Sequence, residues 1–110
     1  MFHGPAADVR TRSAVAGRAF HRAAAAELRG GIADRGIHGD EATKIGRKQG
    51  ALTGSIRSKV PVLLAELCVL SNPKDEAFVA SEGGFNRMCS AVEKGVLEAL
   101  RALKLRSNAP

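Results

Sequence analysis

Lys48, Gln49, Thr53 and Arg57 are the side chains whose types and spacing could do recognition chemistry. They follow one another at steps of one, four and four, so in a helix they share one side. Gln and Arg make paired hydrogen bonds to purine edges, and Thr reaches a base or a phosphate, which is the chemistry of major-groove reading. Arg47 and Lys59 bracket the set where phosphates would lie, and no Asp or Glu occurs between Gly46 and Lys59. Other chemistry finds less to work with. His3, His21 and His38 are isolated, and none accompanies a Ser or Cys in a nucleophile motif. His38 reads as a surface loop residue. Cys68 and Cys89 show no metal-ligand spacing with the histidines and read as small core residues in a reducing compartment. Gly83-Gly84 lacks the strand before it and the Lys-Ser/Thr after it that a phosphate loop needs. No catalytic set, no metal site and no cofactor is expected, and the chain does not read as an enzyme.

A helix carrying that polar face must be held by something. Ala42, Gly46 and Leu52 have the spacing of a helix-turn-helix: a small residue where two helices cross, a turn glycine, and an aliphatic residue entering the core from the second helix. Ile45 adds a core contact before the turn. Asp40 is a suitable N-cap, so the pattern predicts a short helix over 40–45 and a second over 48–59. Gly50 and Gly54 weaken the second helix by about 1 kcal/mol each relative to Ala, so packing must hold it. The remaining elements frame this pair. Residues 1–18 show little periodicity and read as a mobile arm or a helix that forms late. Phe20, Ala24, Leu28 and Ile32 predict a helix over 20–34, ended by Gly36. Residues 60–70, nearly all apolar after Pro61, predict a buried central helix. Asn72-Pro73, followed by Asp75 and Glu76, reads as a cap and restart, and Gly83-Gly84 as a second break. Phe85, Met88, Val92, Val96, Leu100 and Leu103 step by three or four through a strongly amphipathic segment over 85–105, whose apolar stripe is the expected oligomerisation surface. No alternation with period two occurs, so no sheet is expected.

The charge is distributed unevenly. The chain of 110 residues carries +6, and residues 1–60 hold eleven Lys/Arg against five Asp/Glu, while residues 61–110 balance at six against six. A basic half suits a polyanionic partner such as nucleic acid. No apolar stretch reaches the length of a membrane span, and 1–18 has no apolar signal core, so a cytoplasmic protein is expected. The absence of Trp and Tyr leaves a core of small side chains that oligomerisation would help to complete.

Residues 24–70 resemble the phage CII family of transcription activators. The matching stretches are Asp40-Glu41-Ala42-Thr43-Lys44-Ile45-Gly46, then Leu52, Pro61 and Leu63-Leu64-Ala65-Glu66-Leu67. The family's aliphatic residue after the turn glycine is Arg47 here, its Trp before the apolar helix is missing, and the spacing from Pro61 to Leu63 is shorter. The resemblance implies a phage or prophage origin, homotetrameric binding to double-stranded DNA, transcription activation, and RNA polymerase as a partner.

Taken together, the sequence predicts an all-α protein: an arm over 1–18, a helix-turn-helix DNA-binding domain over 19–72 and a helical oligomerisation region over 73–106. The expected function is sequence-specific transcription regulation as a homodimer or homotetramer, with Arg47, Lys48, Gln49, Thr53, Arg57 and Lys59 on DNA. The rival is a small helical adaptor, or a subunit of a larger assembly, RNA-containing ones included. There the basic half would hold an acidic protein or RNA, and the stripe over 85–105 would be the docking face.

Overall fold

The computed structural model describes residues 7–38 and 58–107, and these are all-helical, with no strand among them. Three helices are present: α1, Ala7–Glu27; α2, Pro73–Ala80; and α3, Glu82–Ser107. Both predicted helices of the helix-turn-helix, apart from Ser58 and Lys59, lie outside the described residues.

The expected arm is helical from Ala7 onward. Its burial rests on Val9, Ala16, Ala19 and Ala24, which are too small to give the stretch a strong apolar period. Alanine and arginine are also among the best helix formers. The helix stops at Glu27, seven residues before its expected end, and a turn through Gly30 follows with φ +83°. Gly31 and Ile32 both donate their N–H groups to the Leu28 carbonyl. Gly36 does adopt positive φ, but in the extended segment beyond.

Segment 60–70 differs most from expectation. It is not a helix and it is not buried. Val60 precedes a proline, which pushes it away from the helical region, and the run is apolar on every side, so no single face favours a helix against the rest. Two ties fix its course instead. The Val62 N–H donates to Ser13 Oγ at 2.9 Å, and the Val69 N–H to Asp75 Oδ2 at 2.8 Å. Only Cys68 is packed against the core, while Val60, Leu64 and Leu70 stand in solvent.

The restart at Asn72 is as the sequence predicts. Asn72 Oδ1 accepts the N–H groups of Lys74 and Asp75, and Pro73 occupies the first turn. The second break falls at Ser81, not at Gly83-Gly84, which lie inside the first turn of α3. Ser81 Oγ accepts the Gly84 N–H, so the serine caps the helix. A Cβ at Gly84 would land on the Phe78 carbonyl, so α2 and α3 meet there without room for a side chain.

Helices α1 and α3 pack antiparallel: Gly95 lies against Phe20, while Arg87, two turns earlier, reaches the carbonyls of Glu27 and Arg29. The seam of α3 is Gly84, Met88, Ala91, Gly95 and Ala99, each of them buried. Ala91 is 0% exposed, and Phe20, Ile32, Cys68 and Phe78 close over the cluster of Ala24, Leu28, Met88 and Ala91. Because α1 lies against α3, one core cluster draws on residues from both sides of residue 72. No described helix is long and apolar enough to cross a membrane.

Candidate nucleic-acid interface

Helix α1 has two sides of opposite character. At about 100° per residue, Ala16, Phe20 and Ala24 fall on the side facing α3, and Arg18 and Arg22 fall roughly opposite, exposed. Arg29 follows, exposed, in the turn after the helix. Among the described residues, the side chains of Arg18, Arg22 and Arg29 have no acidic partner. Arg35, Arg87 and Arg101 are engaged within the fold. Arg35 Nη2 lies 3.1 Å from Asp75 Oδ2, Arg101 pairs with Glu98, and Arg87 donates to the backbone carbonyls of Glu27 and Arg29 while its guanidinium lies 5.3 Å from the Phe78 ring centroid. By supplying donors to the carbonyls at the end of α1, Arg87 satisfies groups that a helix terminus leaves open.

Where α1 ends, His21, Arg22, Arg29 and Asp34 line an open concavity of about 500 Å³. His21 Nε2 donates to Asp34 Oδ1 at 2.7 Å, and the same oxygen accepts the Gly36 N–H at 2.8 Å. These two hydrogen bonds, that from His21 the stronger influence, hold the Asp34 carboxyl below its usual range. Asp34 Oδ1 is thereby engaged by His21 and the turn, and no ion pair joins the carboxylate to Arg22 or Arg29. Asp34 and Arg35 are both exposed, Asp34 bonded to His21 and Arg35 paired with the buried Asp75. His38 is exposed as expected, with Nε2 donating to the Arg35 carbonyl at 3.0 Å.

Of the residues predicted to face DNA, Arg47, Lys48, Gln49, Thr53 and Arg57 lie outside the described residues. Lys59 lies within them, exposed, in a bend. It is not the last residue of a helix, because Ser58 Oγ donates to the Val60 carbonyl and accepts the Val60 N–H, which shapes a local turn. The sequence reading missed Arg18 and Arg22. The signal was present as their four-residue spacing, but it required α1 to be helical there.

The predicted oligomerisation stripe is divided by the fold. Met88 is buried within the subunit, and Val92 and Leu103 are half-buried. Phe85, Val96 and Leu100 are 56%, 45% and 59% exposed. The packed seam lies roughly a quarter-turn around the helix from the exposed part of the stripe, because the small residues Gly84, Ala91, Gly95 and Ala99 let α1 approach closely. Cys89 is exposed, contrary to its reading as a core residue, and Cys68 is half-buried; both are free thiols. Among the described residues no group of His, Cys, Asp and Glu is arranged to hold a metal ion.

Comparison with protein-family models, curated proteins and solved structures finds no match for this chain.

Proposed function

We propose that this protein is a sequence-specific DNA-binding transcription regulator of the helix-turn-helix type, related in design to the phage CII activators and working as a homodimer or homotetramer. The observation that carries the reading is the distribution of charge. The entire +6 excess resides in residues 1–60, and the stretch from Gly46 to Lys59 holds four cations and no acid. The spacing of Ala42, Gly46 and Leu52 supports a helix pair at that place, with Lys48, Gln49, Thr53 and Arg57 on the outer side of its second helix. Arg47 and Lys59 would contact phosphates. RNA polymerase is the partner that activation would require, and the cytoplasm the compartment. The exposed flank of α3, with Phe85, Val96 and Leu100, is the surface through which copies would pair. No catalytic role is proposed.

A second reading is favoured by the apolar exposure. Val60, Leu64 and Leu70 stand in solvent together with the α3 flank, which suits an adaptor or a subunit covered by a different protein. A gel-shift of the full chain against random duplexes at two salt concentrations separates the readings. The regulator retards duplex DNA, and does so more weakly at high salt. An adaptor leaves the duplex free at both concentrations.

A further inference from the structure

We infer that Arg18, Arg22 and Arg29 form a second DNA contact, a phosphate-binding ridge on the outer side of α1, separate from the predicted reading helix. The inference rests on the proposed DNA-binding function and extends it to residues that no base-reading pattern includes.

The ridge is distinguished by what its arginines do not do. Arg35, Arg87 and Arg101 are each held by a carboxylate or by backbone carbonyls. Arg18, Arg22 and Arg29 have no such partner among the described residues. Arginine that stabilises a fold is normally bonded to it, and arginine that meets phosphate must be free to present its fork of donors. The acid nearest the ridge in the concavity, Asp34, is bonded to His21 and the Gly36 N–H, so it is not drawn onto Arg22 or Arg29.

Geometry supports a duplex backbone as the ligand. Arg18 and Arg22 are one helical turn apart, about 6 Å along the axis, which is comparable with one to two phosphate steps of ~3.4 Å on a single strand. Arg29 extends the row past the helix end and shares the concavity of about 500 Å³ with Arg22. That concavity is open to solvent along the side on which Arg22 and Arg29 lie. Phe20 points into the core cluster and the His21 ring is held by its bond to Asp34, so the ridge suits a duplex backbone better than the stacking of unpaired bases. Contacts of this kind fix position and add affinity without reading sequence.

The test is fluorescence anisotropy of the full chain on a labelled duplex across a salt series. The triple variant Arg18→Ala/Arg22→Ala/Arg29→Ala should lower the slope of log affinity against log salt by between about two and three. It would thereby lose about 16- to 64-fold less affinity than the parent between 50 and 200 mM salt. Preference among duplex sequences should be unchanged. The triple Arg→Lys variant, which keeps charge and helix propensity, should hold the parent slope, and Lys74→Ala/Lys104→Ala, exposed cations elsewhere, should also leave it unchanged. A triple Ala variant with the parent's slope and helical circular dichroism would overturn the ridge while leaving the DNA-binding reading intact. An equal loss of slope in the Lys74/Lys104 variant would overturn it too, by showing diffuse charge. Selective loss of single-stranded RNA binding would assign the ridge to RNA and overturn it as a duplex contact. A parent that binds no duplex would remove both the ridge and the function it rests on.

Discussion

Asp75 is 2% exposed and holds two separate parts of the chain, accepting the Val69 N–H and pairing with Arg35. Replacing it with Ala leaves a partly buried N–H without an acceptor and Arg35 without its carboxylate. Because Arg35 is itself largely in solvent, the cost belongs to the range for a lost hydrogen bond and not to that for a fully buried ion pair. Asp75→Ala should destabilise the protein by about 1–3 kcal/mol, read as a lower urea midpoint. Asp75→Asn, which keeps an acceptor for Val69, should cost less. The residue was visible in the sequence only as a favourable acid in the first turn of a helix. Its larger role depends on where 60–70 and Arg35 come to lie, and no local pattern encodes that. Arg87 was likewise an ordinary polar position on α3 until the end of α1 was placed beneath it.

At the scale of elements, the α1–α3 seam depends on glycine and alanine. A Cβ at Gly95 would lie 2.5 Å from the Phe20 ring, whereas one at Gly83 would meet nothing within 4 Å. Ala improves helix propensity at both positions, by up to about 1 kcal/mol in a helix interior. At Gly95 the overpacking cost, about 1–3 kcal/mol, outweighs this gain. Gly95→Ala should therefore lower the thermal midpoint and Gly83→Ala should raise it slightly. Equal, positive shifts would show that the helices do not touch at Gly95. The same small residues explain which elements could be read in advance. α3 was legible because large aliphatics mark one side of it, and α2 because Asn72-Pro73 is a strong local start. The first half of α1 was not, since Val9, Ala16 and Ala19 bury well but contrast little with their neighbours. In α3 the eye follows Val96 and Leu100, although the closest packing is through Gly95 and Ala99. Segment 60–70 has the composition of a buried helix, but composition without a face does not select one.

The whole molecule leaves apolar surface in solvent that a single copy does not cover. Phe85, Val96 and Leu100 lie along one flank of α3, and each large side chain withdrawn from water would contribute about 1.5–3 kcal/mol. Val96→Asp should shrink the particle measured by light scattering while circular dichroism stays unchanged, because Val96 lies outside the α1–α3 seam. A parent that is monomeric at tens of micromolar would contradict pairing through this flank. The basic half gives the central claim its most direct test, which is base reading by the predicted helix over 48–59. Duplexes should be selected from a random pool with the parent, and their affinities then compared for Arg57→Ala and Lys59→Ala at fixed salt. The account predicts that Arg57→Ala weakens the selected duplex by about 1–3 kcal/mol and relaxes its sequence preference, while Lys59→Ala weakens all duplexes alike and lowers the salt slope by about one. No enrichment of any sequence, with both variants binding every duplex as the parent does, would contradict it.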